Sequence, residues 1–269
     1  MRLSAYAPCF NNAGTIVAAA RSLSAQTIPP DEVFVVDDGS TDGSAETVEA
    51  AGFRVVRLGS NQGRGAVRAR ATLEARGEFV LSCDATMTLA PNFLEKILPW
   101  FESLSAAAAF GRVMDTSPRG PSGRWRSRHL LKCHLVCDVN RHAVFSTWGA
   151  VVRRSAVLAA GNFDAKRRHT EDAELGERLQ KLGHEVVFVP DAQLFPQTQN
   201  TVPQLLERYW RWHIGKDEDF TLSRYFGQLL YSVRSLAAVD LKAGDPLSAL
   251  ISLLTPHYFL WRKLRKTSR

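Results

Sequence analysis

Short apolar runs alternate with segments of helical periodicity over the first part of the chain. The runs are continuous, which is typical of strands buried on both faces of a parallel sheet. Strands and helices that alternate at this spacing predict a doubly wound α/β sheet. The predicted strands are 3–7, 33–36, 54–57 and 79–83, and the predicted helices are 15–25, 44–51 and 66–75.

Beyond residue 100 the pattern becomes less regular. Segment 115–128 is rich in Arg, Gly, Ser and Pro, so we expect an exposed loop there. The chain beyond residue 203 is almost wholly helical in pattern. Further helices are predicted at 128–139 and 171–182, and further strands at 146–153 and 185–189.

Composition predicts a chain that folds in a reducing compartment. Hydrophobic residues make up 45% of the 269 residues, enough for a core without crosslinks. Cys9, Cys83, Cys133 and Cys137 are scattered rather than dense. We find neither an apolar leader segment nor an apolar run long enough to span a bilayer, so the predicted location is the cytoplasm.

The formal net charge of +7 attracts anions without choosing among nucleotide phosphates, nucleic acid and anionic lipid. Basic residues concentrate at 112–128, 153–168 and 261–269. Because these segments carry no aromatic-basic motif of a nucleic-acid binder, we predict no nucleic-acid partner.

Two carboxylates, Asp37 and Asp38, follow the predicted strand 33–36 and precede a glycine turn. In open parallel sheets, ligands bind outside the carboxyl ends of the strands. A carboxylate there can accept hydrogen bonds from a nucleobase or a ribose. The alternative is that Asp37 and Asp42 only cap the turn and the next helix.

A dinucleotide-binding loop would place Gly-x-Gly-x-x-Gly directly after the first strand. The first strand is followed instead by Pro8-Cys9-Phe10-Asn11-Asn12. Gly63-Arg64-Gly65 begins the pattern after the third strand, but Arg68 stands where its last glycine belongs. Nicotinamide chemistry is therefore not predicted.

Several segments, in order and at matching spacing, resemble the family 2 glycosyltransferases over residues 1–215. The resemblance implies a GT-A fold, an α/β architecture with a mostly parallel, Rossmann-like sheet flanked by helices and a helical C-terminal extension. The matching segments are Pro8-Cys9-Phe10-Asn11-Asn12, Ala25-Gln26-Thr27, residues 35–44, Asn61-Gln62-Gly63 with Ala69-Arg70, Gly77-Glu78-Phe79-Val80-Leu81 leading to Asp84, Arg153-Arg154, and Glu171-Asp172-Ala173-Glu174-Leu175 with Arg178-Leu179.

The resemblance implies an inverting enzyme that moves a sugar from a UDP- or GDP-linked donor to an acceptor hydroxyl, in the synthesis of a glycan, polysaccharide or glycolipid. It divides the chain into a donor-binding half, 1–115, an acceptor-binding and catalytic half, 116–215, and a helical end, 216–269. The alternative is a catalytically impaired member that serves as a binding or scaffold protein.

Donor binding is implied for a set of positions at and around the first strand ends. Asp38 matches the family's contact with the base, and arginine forks suit the oxygens of a diphosphate. The alternative for the arginines is a solvated helix face. The implied donor-binding residues are Pro8, Phe10, Asn11, Asp37, Asp38, Arg64, Arg68, Cys83, Asp84 and Ala85.

The family's metal motif is Asp-x-Asp, and here the matching residues are Asp84-Ala85-Thr86. The second aspartate ligates Mn²⁺ or Mg²⁺ in relatives, and a neutral hydroxyl is a poorer partner for such a cation. A divalent cofactor is therefore doubtful. Three alternatives stay open: weak metal binding through Asp84 and the diphosphate, replacement of the metal by basic residues, or loss of activity. His213 is a candidate late metal ligand.

The resemblance assigns the catalytic base to Asp172, with Glu171 beside it. An acid at the start of a helix is a base only if it is partly desolvated and reaches the acceptor hydroxyl. The alternative is a first helical turn enriched in acids that complement the helix dipole. The remaining site candidates are Trp148 and Gly149 for the acceptor, with a core tryptophan as the alternative, and Arg208 and Arg211 for the diphosphate.

The C-terminal end carries apolar residues at helical spacing, followed by a basic tail, with Pro256 predicted to interrupt the helix. This pattern suits a helix lying on an anionic membrane surface, near a lipid-linked acceptor. The alternative is a helix packed on the catalytic domain. The apolar positions are Leu247, Leu250, Ile251, Leu254, Tyr258 and Trp261.

Overall fold

The computed structural model describes residues 2–214 and 221–267, whose strands form one sheet in the order β3-β2-β1-β4-β7-β6-β8-β5. The strands are β1 (Leu3–Cys9), β2 (Glu32–Asp37), β3 (Arg54–Arg57), β4 (Phe79–Cys83), β5 (Met87–Leu89), β6 (Ala106–Val113), β7 (Gly149–Arg153) and β8 (Glu185–Pro196).

Helices alternate with these strands and continue to the end of the described chain. Short 3-10 or π-helical turns at Leu98–Glu102, Arg126–Leu130 and Ser232–Ala237 extend some of them. The α-helices are α1 (Ile16–Ser24), α2 (Ser44–Ala50), α3 (Arg64–Glu74), α4 (Phe93–Ile97), α5 (Gly120–Trp125), α6 (Arg154–Ala159), α7 (Glu171–Lys181), α8 (Val202–Ile214), α9 (Leu222–Tyr231), α10 (Ala238–Lys242) and α11 (Pro246–Thr267).

The sheet has a parallel half and a mixed half. β3, β2, β1 and β4 are all parallel, as the continuous apolar runs predict. β7 then runs antiparallel to both β4 and β6, while β6 and β8 are parallel and β5 closes the edge antiparallel to β8. Four of these seven pairings are parallel, so the predicted mostly parallel sheet is confirmed.

The sequence pattern does not reveal β6, although this strand lies inside the sheet. Its first four residues, Ala106 to Ala109, are alanines with no exposed surface. Alanine is the strongest helix former, so local propensity argues against a strand. Pairing on both sides with β7 and β8 overrides that preference.

The expected exposed loop at 115–128 is confirmed only up to residue 119 and is wrong from Gly120 onward, where the segment forms α5 and a π-helical turn. Trp125 and Arg126 are buried. The Trp125 indole donates to Ser252 Oγ at 2.8 Å, and Arg126 pairs with the buried Asp115 at 2.7 Å. The predicted helix 128–139 is also wrong, since helical structure ends at Leu130. A composition rich in Arg, Gly, Ser and Pro therefore does not exclude a helix with buried side chains in this segment.

The chain separates into two compact units. The first comprises residues up to 114 together with 136–197, and holds the whole sheet. The second comprises 115–135 and the described residues from 198 onward, and is helical. These boundaries differ from the functional division at 115 and 215, which stays a prediction. The second unit's buried core is Trp125, Leu205, Leu206, Tyr209, Leu236, Ile251 and Phe259.

Helix α11 runs through Pro256 without a break, so the predicted interruption is wrong. A proline inside a helix leaves the carbonyl four residues earlier without its usual donor. That carbonyl belongs to Ser252, and the hydroxyl of Thr255 donates to it at 2.8 Å. The side chain replaces the missing backbone hydrogen bond.

Candidate functional site

Hydrogen bonds join the loop after β1 to the loop after β2. The Asn11 N–H donates to Ser40 Oγ at 2.9 Å, and Asn11 Oδ1 accepts the Thr41 N–H at the same distance. Asn11 adopts a left-handed conformation with φ of 52°, which asparagine tolerates well. Pro8 is half-buried in β1 and Phe10 is exposed beside this junction. The predicted donor-binding segments after β1 and β2 therefore lie together.

Asp38 ties the β2 end to the segment before α3. Its carboxylate is buried and accepts the N–H groups of Gln62 at 2.7 Å and Gly63 at 2.9 Å. The buried carboxylate of Asp37 accepts the Ser40 N–H at 3.1 Å through Oδ2. Its Oδ1 has no hydrogen-bond partner among the residues that the structure describes. Through these hydrogen bonds, both aspartates stabilise the backbone at the end of β2.

The centre of the site is a buried guanidinium, that of Arg68, which is 1% exposed. It donates to Asp84 Oδ1 at 2.7 Å from Nη2 and to Glu171 Oε1 at 3.1 Å from Nε. Nη1 lies 3.4 Å from the Tyr6 hydroxyl. Burial alone would lower the pKa of Arg68, but the facing Tyr6, Asp84 and Glu171 raise it well above its ordinary value. Arg68 thus joins β1, the end of β4 and α7 as a fixed cation.

The two predicted catalytic acids face different surroundings. Glu171 is buried against Arg68. Asp172 is half-buried at the start of α7, and its Oδ2 accepts from the Thr147 hydroxyl at 3.2 Å and the Thr147 N–H at 3.3 Å. Thr170, before both, has a left-handed φ of 59°, which is strained for a β-branched residue. Of the two residues, only Asp172 is partly exposed, and Glu171 is engaged in the buried ion pair with Arg68.

The predicted acceptor residues support the turn that carries Asp84. The half-buried Trp148 accepts the Asp84 N–H through its carbonyl at 3.0 Å. Gly149 opens β7 opposite Cys83, and a Cβ there would come within 3.0 Å of the Leu89 side chain. Burial raises the pKa of the Cys83 thiol, so Cys83 is a neutral packing residue. Ala85 is also buried.

The residues at the family's metal motif do not fit a divalent cation held by protein ligands. Asp84 is already paired with Arg68, and Thr86 offers a neutral hydroxyl. Within the described residues, no group of three His, Cys, Asp or Glu side chains could hold a metal ion. The His213 ring in α8 lies over Tyr209, with Nδ1 2.9 Å from the Tyr209 carbonyl.

The predicted phosphate-binding arginines lie on two different elements. Arg64 is exposed at the first position of α3, in the first unit. Arg208 is half-buried and Arg211 exposed on α8, in the second unit. Arg211 Nε is 4.0 Å from Glu207 one turn earlier.

Sequence reasoning missed the loop 164–169, which leads directly to the acids of α7. The Gly65 N–H donates to the Arg167 carbonyl at 3.0 Å, so this loop lies on the start of α3. Arg168 is exposed, packs against Gly63 and hydrogen-bonds to Asn61 Oδ1. The available signal was the basic cluster 153–168, which ends next to the predicted base.

Known proteins resemble this chain in sequence and in fold. A family model described as glycosyl transferase family 2 matches residues 4–161. A protein of Mesorhizobium japonicum named N-acetylglucosaminyltransferase is 26% identical over 271 residues, covering 91% of this chain and 62% of that protein. The chain thus spans about three fifths of that relative's length.

Solved structures share the fold at low sequence identity. Mannosyltransferase PcManGT from Pyrobaculum calidifontis, in complex with GDP-Man and Mn²⁺, has a TM-score of 0.60 at 17% identity and covers 98% of this chain and 86% of its own. TarS from S. aureus, in complex with UDP-GlcNAc, has a TM-score of 0.59 at 18% identity, with coverages of 87% and 66%. These likenesses establish a GT-A glycosyltransferase fold for the sheet and its helices.

Proposed function

Because the chain belongs to glycosyl transferase family 2, we propose that it transfers a sugar from a nucleotide diphospho-sugar to an acceptor hydroxyl, with inversion at the anomeric carbon. The observation that carries this proposal is the half-buried Asp172, which lies four residues after Arg168 and next to the buried Arg68–Glu171 pair. It lies at the edge of the sheet where ligands of such folds bind.

The proposed chemistry is a single displacement. Asp172 accepts the proton of the acceptor hydroxyl while that oxygen forms a bond to the anomeric carbon of the donor. The bond from this carbon to the phosphate oxygen breaks, and the nucleoside diphosphate leaves with the electron pair. Thr147 orients the base by donating to its Oδ2.

The predicted site residues have two kinds of role: contact with the substrates, and support of the residues that make that contact. Asp37 and Asp38 at the end of β2, with Pro8, Phe10 and Asn11 at and after the end of β1, shape the nucleotide pocket. Glu171 acts through Arg68 and does not touch the acceptor. Trp148 and Gly149 line the acceptor side, where the Trp148 carbonyl also fixes Asp84. Arg208, Arg211 and His213 remain candidates on α8.

The first donor to test is UDP-N-acetylglucosamine. A relative carries the name N-acetylglucosaminyltransferase, and TarS, a structural neighbour, was solved with UDP-GlcNAc. A thermal-shift screen of UDP-, GDP-, CMP- and dTDP-sugars compares it with other donors. A ligand at about 100 times its Kd stabilises the fold by about 2.7 kcal/mol, which gives a measurable rise in Tm.

Replacing Asp172 with Asn tests the proposed base. We expect transfer to fall by about 10²- to 10⁴-fold with the melting temperature unchanged, because the amide cannot accept the proton. The matched control is Asp191→Asn, at an exposed position of β8. An Asp172→Asn enzyme as fast as the control contradicts the assignment. Donor binding without transfer to any acceptor would favour the scaffold alternative.

We also infer that the helical unit contacts an anionic membrane surface. Within residues 2–214 and 221–267, no helix combines the length and apolar character needed to cross a bilayer. Residues 221–267 include seven basic residues and only two acids, Asp240 and Asp245. Both acids are buried in ion pairs with Arg128, so the exposed charge on this segment is positive.

Two exposed apolar stripes support this contact. Both follow helical spacing, and α9 contacts α11. Exposed leucines together with Trp or Phe beside basic residues are typical of helices that lie in a membrane interface. The stripes are Leu222, Phe226, Leu230 and Val233 on α9 and the turn after it, and Leu247, Leu250, Leu254 and Trp261 on α11.

A further inference from the structure

We propose that Arg68 takes the place of a divalent cation as the positive partner of Asp84, so that donor binding by this chain does not depend on a metal ion. The proposal rests on the donor binding proposed above. It concerns the turn 84–86, where the family motif has lost its second carboxylate.

Arg68 is a permanent counter-ion of Asp84. Its Nη2 lies 2.7 Å from Asp84 Oδ1, and the guanidinium side chain is 1% exposed. A divalent ion approaching Asp84 would meet a carboxylate whose Oδ1 already accepts a hydrogen bond from a cation, which Asp84 shares with Glu171. The attraction that normally draws a hard cation to an aspartate is correspondingly reduced.

Arg68 cannot turn away to make room. Its Nε holds Glu171, which is only 2% exposed, and Nη1 faces Tyr6. Moving the guanidinium would leave the Glu171 carboxylate buried without a cation, which is strongly unfavourable. The three acceptors come from separate elements, so the cation is fixed by the fold itself.

Thr86 also lacks the carboxylate that would bind a metal ion. In the turn after β4 it stands where the family has the aspartate that binds the metal directly. Its carbonyl is already engaged by the Gln197 N–H at 2.9 Å. A neutral hydroxyl beside an arginine-paired aspartate offers Mn²⁺ or Mg²⁺ no free carboxylate.

Without a metal ion, basic side chains of the same unit must neutralise the negative charge of the diphosphate. Arg64 is exposed at the start of α3. Arg168 is also exposed, and it donates a hydrogen bond to Asn61, which precedes α3 in the chain. Both border the segment that Asp38 fixes through Gln62 and Gly63. Guanidinium groups bind phosphate oxygens in paired hydrogen bonds, as a metal-free donor site requires.

The first experiment measures the metal directly, without a substrate. The full chain is titrated into Mn²⁺, and the free-ion signal is followed by electron paramagnetic resonance. We expect the wild type to leave Mn²⁺ unbound at micromolar concentrations, whereas Thr86→Asp binds it at least about tenfold more tightly. The control is Thr47→Asp, which adds the same charge at an exposed position of α2.

The second experiment measures UDP binding by calorimetry in EDTA, Mg²⁺ or Mn²⁺. We expect wild-type affinities within about twofold of one another, since a lost metal contact would cost about tenfold or more. Tight Mn²⁺ binding by the wild type that Asp84→Asn abolishes, or UDP binding only with metal, overturns the inference. If UDP and the nucleotide-sugars bind under no condition, the proposed function fails, while the Mn²⁺ titration still decides the inference even if Thr86→Asp does not fold.

Discussion

Gly65 is the residue at which two parts of the site come into backbone contact. A Cβ at this position would lie 2.6 Å from the Arg167 carbonyl and closer still to the Asp164 carbonyl. Neither obstacle is a flexible side chain, so the loop would have to move. That loop leads to the acids of α7. Gly65 therefore belongs to the site through its backbone contact with the loop, although it has no side chain that could act there.

We therefore predict that Gly65→Ala lowers the free energy of unfolding by about 1–3 kcal/mol and lowers the transfer rate more than ten-fold. Urea denaturation and a donor-saturated rate measurement check this. Gly14→Ala is the control, because nothing lies within 4 Å of its added Cβ. Equal behaviour of the two variants would show that the loop adapts freely.

At the scale of elements, a buried aromatic residue of α5 is hydrogen-bonded to α11. Trp125 is fully buried and donates its indole N–H to Ser252 Oγ at 2.8 Å. Trp125→Phe and Ser252→Ala, alone and together, form a double-mutant cycle. We expect a coupling of about 1 kcal/mol in urea unfolding, the usual net value of a hydrogen bond. Additive effects would contradict the link.

Asp245, directly before α11, forms a pH-dependent ion pair with Arg124 of α5. Hydrogen bonds from Arg124 hold the pKa of this carboxyl well below its ordinary value of 3.8; burial opposes the shift, and Ser248 adds to it. A lowered pKa in the folded state means that the stabilisation is present above the ordinary value and is lost as the pH falls below it.

Asp245→Asn is thus expected to reduce stability at neutral pH and to flatten its decline between about pH 5 and pH 2. Unfolding midpoints across this range measure the effect, with Asp191→Asn as the exposed control. A variant that loses stability with acid as steeply as the wild type would exclude Asp245 as a source of the decline.

At the scale of the whole molecule, membrane binding is expected to depend on the exposed stripes of α9 and α11. Phe226→Glu with Leu250→Glu should abolish flotation with vesicles of phosphatidylcholine and phosphatidylglycerol, since each change places a carboxylate in the interface. Leu104→Glu is the control, at an exposed position of the first unit. Equal flotation of all variants, or none for the wild type, would refute the contact.

The sequence predicts the parallel half of the sheet because β1, β2 and β4 are continuous apolar runs between helical patterns. It does not predict β6, where alanines favour a helix until neighbouring strands pair with them. It hides α5, because Arg, Gly and Ser surround the one aromatic residue of this helix, Trp125. The acids Asp84 and Asp172 could be located from motifs.

The ion pairs at the site could not be read from the sequence. Arg68 and Glu171 are 103 positions apart, and no local pattern reports such a contact. The resemblance placed Arg68 near the nucleotide, whereas the structure buries it between acids. Periodicity identifies the buried face of a helix, but partner choice on that face depends on how distant elements pack.

The burial of Arg68 also has a consequence for how the chain acquires its structure. Its partners come from β1, the end of β4 and the start of α7, so they are synthesised far apart in time. Until α7 docks, the guanidinium has only part of its compensating charge, and enclosing it is unfavourable. The part of the site around Arg68 therefore cannot reach its final structure before α7 packs against it. The helix that supplies this last partner of Arg68 is also the one that carries the proposed base.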